Sequence, residues 1–122
     1  MSTTLFDHVG GQVFFNDLVD RFYDGVETDP PLRALYPEDL EPGKEALALF
    51  LGQYFGGPTT YSDQKGHPRL RMRHVNFRIG PAERDGWVRH MTAAVEQAEL
   101  EPPVQAQMLD YFAMAAQHMI NV

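Results

Sequence analysis

The chain has 122 residues, and ten Lys and Arg stand against 17 Asp and Glu, so its formal net charge is −7. That charge repels phosphate backbones and anionic lipid surfaces, so neither nucleic-acid nor membrane-surface binding is expected. Hydrophobic residues make up 43% of the chain and cysteine is absent, which predicts a packed interior and rules out disulfides, thiol nucleophiles, iron–sulfur clusters and thiolate zinc sites. The length suits one domain, residues 1–122. No apolar run approaches a membrane span, and Met1-Ser2-Thr3-Thr4 has no basic region leading into an apolar one, so the default expectation is cytoplasmic.

A short amphipathic start (Leu5, Phe6, Val9) is closed by Gly10-Gly11, with Ser2 to Thr4 available to cap it. Between Gln12 and Glu27, Phe15, Leu18, Val19, Phe22 and Val26 recur at spacings of three and four, which predicts one buried helix face. Asp29-Pro30-Pro31 ends that helix, and Leu32, Leu35 and Tyr36 form a turn-like corner before Pro37. Pro42 suits the first turn of a helix running to about Phe55, with Leu47, Phe50, Leu51 and Tyr54 on one face.

Gly56-Gly57-Pro58 stops it. From Thr59 to Gly80 no period is sustained, which predicts an ordered loop holding one short helix, and loops of that length in small domains are usually functional. Pro81 opens a helix ending near Glu101, with Trp87, Val88, Met91, Ala94, Val95 and Ala98 on its apolar side. Pro102-Pro103 opens the last, in which Val104, Met108, Tyr111, Phe112, Ala115 and Met119 keep the period. No alternating strand segment survives, so the predicted class is all-α.

Between Gln64 and Ala82 there is no Asp or Glu, while Lys65, Arg69, Arg71, Arg73 and Arg78 lie there with His67 and His74. A solvated basic surface is one reading; a site for a small anionic group is the other, because arginine pairs with carboxylates through a bidentate fork. The histidines have no third partner at zinc-like spacing. A porphyrin iron asks less, since the macrocycle supplies four nitrogens and the protein need add one axial imidazole. Its propionates need cations or hydroxyls and its faces need apolar walls, and Leu70, Met72, Val75 and Phe77 flank the basic residues.

The stretch from Gly56 through Tyr61, Gly66-His67-Pro68-Arg69 and Leu70-Arg71-Met72-Arg73-His74 resembles the proximal region of group II truncated haemoglobins, members of the globin superfamily. Arg21-Phe22-Tyr23, Leu35-Tyr36-Pro37-Glu38, Glu83-Arg84-Asp85-Gly86-Trp87 and Asp110 to Ala116 are similar to further motifs of that family, in its order and spacing, from about Leu5 to Asn121. The resemblance implies a shortened globin fold, a two-over-two helical sandwich around one haem b (iron protoporphyrin IX). It implies His74 as the ligand of the iron, with Tyr23, Tyr36 and Trp87 as polar residues around a bound ligand on the opposite side. Leu47, Phe50, Leu70 and Phe77 fall where the family packs the macrocycle, and Tyr61 and Arg73 where it meets the propionates. Where other globins carry a distal histidine, this sequence has Gly43.

The implied function is binding of O2 and other diatomic ligands at ferrous iron. That serves oxygen transport or redox chemistry on oxygen, nitric oxide or peroxide, in the latter case with a reductase as partner. Whether the chain turns over, as a nitric oxide dioxygenase or a peroxidase-like enzyme, the sequence leaves open, and it is silent on oligomeric state. A haem-based sensor or partner-binding module without turnover is the alternative, and a haem-free helical interaction domain is a third. Tyr23, Trp87, Leu47, Phe50 and Phe77 are each also consistent with ordinary core packing.

Overall fold

The computed structural model describes residues 4–75 and 77–122, with the Arg71 side chain outside the description. Among the described residues the regular structure is entirely helical. The helices are α1 (Leu5–Val9), α2 (Gln12–Glu27), α3 (Pro30–Arg33), α4 (Glu41–Tyr54), α5 (Thr60–Lys65), α6 (Leu70–Arg73), α7 (Pro81–Glu96) and α8 (Pro102–Met119). Thr4 caps α1 by accepting the Asp7 N–H at 3.1 Å, and Gly10 ends it in the left-handed conformation that glycine adopts without steric cost. Ser2 and Thr3, the other residues read as caps, lie outside the described residues.

The framework is made by α2 packing on both α4 and α7, and by α7 packing on α8. All five residues assigned to the α2 face are buried, and Phe15, Leu18 and Phe22 are completely so. They meet Leu51 of α4, Met91 and Val95 of α7, and Met108 and Phe112 of α8 in one cluster. Burying a side chain of that size stabilises the fold by about 1.5–3 kcal/mol before conformational entropy is charged against it.

Three sequence expectations change in detail. The stretch from Thr59 to Gly80 holds two short helices, α5 and α6, rather than one. Gln53 of α4 fastens the first, accepting the Ser62 N–H at 2.9 Å and donating to the Ser62 hydroxyl at 2.8 Å. The helix opened by Pro81 stops at Glu96, and Glu99 takes a φ of 54° that no helix continues through. Tyr54, placed on the buried face of α4, is 50% exposed, because its ring lies outside the bundle and stacks on Tyr111 with centroids 4.0 Å apart.

The corner after α2 is built by side chains. Asp29 caps α3 through the Leu32 N–H, and its Oδ2 accepts from His90 Nε2 at 2.9 Å and Arg89 at 2.8 Å, which ties the corner to α7. The His90 hydrogen bond, aided by the Leu32 N–H and the nearby positive charge, holds the Asp29 carboxyl below the usual carboxylate range despite its desolvation. The stabilisation this gives is present above the unfolded carboxyl pKa and lost as pH falls through the lower folded one. Beyond α3, Arg33 donates to the carbonyls of Tyr36, Pro37 and Glu38 at 3.3, 2.9 and 3.0 Å, which fixes the backbone carrying Tyr36.

Candidate functional site

Between α2, α4, the α5–α6 segment, α7 and α8 lies a cavity of about 370 Å³ with mostly apolar walls. Each residue that the family resemblance assigns to the haem site lines it: Tyr23, Tyr36 and Trp87; Leu47, Phe50, Leu70 and Phe77; and Tyr61, Arg73 and His74. So does Gly43, whereas His67, Met72 and Val75 do not. These side chains come from five helices and two corners, so only the packing of α2 on α4 and α7 brings them together.

His74 follows directly on α6. Its Nδ1 lies 2.5 Å from the Leu70 carbonyl oxygen, which can only accept, so Nδ1 carries the proton and donates. The lone pair is thereby left on Nε2, the tautomer a metal-binding imidazole needs. His67 is exposed, and its Nδ1 accepts the Arg69 N–H at 3.1 Å within the loop.

The polar groups away from His74 form an aromatic cluster. Tyr23 and Tyr36 meet edge to face at 5.5 Å, and Trp87 lies between Phe22 at 5.3 Å and Phe112 at 5.9 Å. Burial pushes the Tyr23 hydroxyl up to about 12, and burial with the neighbouring Tyr23 pushes the Tyr36 hydroxyl higher still, slightly offset by the nearby Trp87 indole. Both phenols therefore stay protonated near neutrality, able to donate. The indole N–H of Trp87 can only donate, so it and the two hydroxyls lining the cavity are all donors available to an acceptor there.

Gly43 sits in the first turn of α4, where a methyl group would lie 2.9 Å from the Tyr23 hydroxyl oxygen. Glycine here is what lets that hydroxyl stand where it does.

At the mouth, Arg73 lies over the Tyr61 ring with its guanidinium carbon 5.9 Å from the centroid, and Tyr61 meets Phe50 edge to face at 5.6 Å. Arg73 Nε donates to the Pro68 carbonyl at 2.7 Å and a terminal nitrogen to that of Lys65 at 3.0 Å. Two of its five N–H groups thus hold the loop, and the rest of the fork remains for an anion.

Sequence reading missed Arg84 as a lining residue. This second cation bonds to Asp85 and to Gln117 of α8, and its place in the Glu83–Trp87 motif was the available signal. It also missed Leu35, Ile79, Ala115 and Met119, which complete the apolar walls and carry no chemical signature of their own.

The donor set suits a porphyrin. A wide apolar space, one imidazole with Nε2 available, cations at the rim and protonated hydroxyls away from the imidazole are what a flat, dianionic, iron-bearing macrocycle needs. A helical sandwich holding such a cavity defines a haem-pocket architecture.

Comparison with known proteins agrees. The profile of the bacterial-like globins matches residues 4–121. Group 2 truncated hemoglobin YjbI of Bacillus subtilis is 35% identical over 111 residues, covering 91% of this chain and 84% of that protein. Among solved structures, the hemoglobin of the thermophilic phototroph Chloroflexus aurantiacus superposes with a TM-score of 0.96 at 55% identity, covering 99% of this chain and all of that one. The group II truncated hemoglobin of Bacillus anthracis gives 0.95 at 34% identity, covering 100% and 94%. The chain belongs to the bacterial-like globin family, whose members are haem proteins that bind diatomic ligands.

Among the described residues no helix is long and apolar enough to cross a membrane.

Proposed function

We propose that this chain, read as one truncated-globin domain over residues 1–122, binds one haem b noncovalently through His74 Nε2, and that the bound haem would take up O2 within reach of Tyr23, Tyr36 and Trp87. The observation that carries the reading is the convergence on one apolar cavity of an imidazole fixed by the Leu70 carbonyl with the hydroxyls of Tyr23 and Tyr36 and the indole of Trp87. The haem, when bound, supplies the ferrous iron at which diatomic ligands attach. The protein supplies the rest. His74 anchors and orients; Leu47, Phe50, Leu70 and Phe77 cover the macrocycle and exclude water; Tyr61 and Arg73 meet the propionates.

Because oxygen gathers negative charge when it binds, N–H and O–H donors from Trp87, Tyr36 and Tyr23 hold it more tightly than they hold carbon monoxide. The haem, when bound, would supply the iron chemistry for oxygen transport or for redox reactions of oxygen, nitric oxide or peroxide, and a cytoplasmic location is part of the proposal. The test is the ferrous, haem-reconstituted protein in air. A reversible oxygen spectrum, restored on each cycle of oxygen removal and addition, is expected. Failure to take up haem, or uptake without any oxygen form, would contradict the reading.

Gly43 gives a second test. Gly43→Ala displaces the Tyr23 hydroxyl and is expected to speed oxygen release up to roughly fivefold, the loss of about 1 kcal/mol from one misplaced hydrogen bond. The change should largely vanish when Tyr23 is already Phe. An equal effect in both backgrounds would mean that Gly43 acts without Tyr23.

A further inference from the structure

The one-turn helix α6 leads directly into His74 but cannot hold its own shape, since a single turn fixes several residues for very few hydrogen bonds. It also starts badly: Arg69, immediately before it, has a φ of 44°, in the left-handed region that residues other than glycine adopt at a cost. Support must come from outside. On the N-terminal side it comes from Arg73 through the Pro68 and Lys65 carbonyls. On the C-terminal side it comes from one residue beyond the end of α8.

Asn121 makes four hydrogen bonds to the segment that follows α6. Its Nδ2 donates to the carbonyls of His74 at 3.3 Å and Phe77 at 2.7 Å, and its Oδ1 accepts the Ile79 N–H at 3.0 Å. Its backbone N–H donates to the Ile79 carbonyl at 2.9 Å. The His74 carbonyl also accepts the Phe77 N–H at 3.0 Å.

His74 is therefore pinned at both ends, its ring by Leu70 and its peptide by Asn121. The choice of residue follows from the donor count. A primary amide carries an acceptor and two donors in one plane, and only one orientation of it fits, because the reverse would set its oxygen against two carbonyls.

We propose that Asn121 is a positioning residue for His74: through the Phe77 and Ile79 backbone it sets the orientation in which the imidazole meets the iron. This rests on the haem reading above.

In the haem-loaded ferrous protein, Asn121→Ala should shift or broaden the iron–imidazole stretching band in the resonance Raman spectrum. It should also speed haem loss roughly 5- to 30-fold, as expected for two or so net hydrogen bonds. Asn121→Asp keeps the acceptor for Ile79 but removes both donors and turns a carboxylate toward carbonyls, so it should act at least as strongly. Thr4→Ala removes the α1 cap and lowers stability without touching the segment after α6, and it should leave the band and the haem-loss rate unchanged.

An unchanged band in both Asn121 variants, with haem loss within twofold of the parent, would overturn the proposal while His74→Gly still lost its haem. Haem retention in His74→Gly would instead overturn the haem reading and this proposal with it.

Discussion

Replacing Trp87 with phenylalanine is expected to accelerate oxygen release roughly 10- to 150-fold, the equivalent of losing one hydrogen bond to a charged acceptor, about 1.5–3 kcal/mol. The substitution keeps an aromatic ring between Phe22 and Phe112, so the packing of α7 on α2 and α8 is largely retained. What it removes is the indole N–H, a donor that lines the cavity.

Carbon monoxide gains less from donors, so the ratio of oxygen to carbon monoxide affinity should fall in Trp87→Phe. Stopped-flow dissociation rates for the two ligands measure this. Tyr23→Phe and Tyr36→Phe should have smaller effects. An oxygen off-rate in Trp87→Phe within a factor of two of the parent would remove Trp87 from the role, and a large effect in one tyrosine variant alone would pass the role to that residue.

The parts of the fold that sequence made legible are those whose information is local. The α2 face was legible because five apolar residues recur at helical spacing between Gly11 and Asp29-Pro30-Pro31, and all five are buried. The starts of α7 and α8 were legible because a proline at the first helical position surrenders an N–H that has no partner there in any case.

The two short helices between Thr59 and Gly80 were not both legible, because one or two turns show no period and these are held by residues outside themselves. Gln53 holds α5, and Asn121, more than forty residues away, holds the segment after α6. Tyr54 matched the spacing of the α4 face, but periodicity gives only an angle around the helix, and α4 ends where the bundle no longer covers that angle. The site was legible in a different way. Periodicity alone made Tyr23 and Trp87 ordinary core, and it was the ordered set of separated motifs that grouped them with His74. Nothing in the sequence linked Asp29 to His90 or Arg84 to Gln117, because such pairs exist only once α7 has packed.

His74→Gly is the second large expected effect. It removes the one imidazole that lines the cavity among the described residues while leaving the apolar walls in place. Losing a group that merely orients a metal ligand typically costs roughly 10–100-fold in affinity, so losing the ligand itself should weaken haem uptake by at least the upper end of that range. Added imidazole should restore uptake in the variant by occupying the space of the missing ring, whereas His67→Ala should bind haem as the parent does. Equal loss in His67→Ala, with His74→Gly unaffected, would transfer the ligand role to His67.

Trp87 makes the decisive measurement simple, because it is the only tryptophan in the chain and it lines the cavity. Haem titrated into the apoprotein should quench its emission to a sharp end point at one equivalent, and in His74→Gly the same titration should turn shallow until imidazole is added. Tryptophan emission that stays unquenched while haem is taken up, or an end point as sharp in His74→Gly as in the parent, would contradict the assignment of this cavity and His74 to the haem.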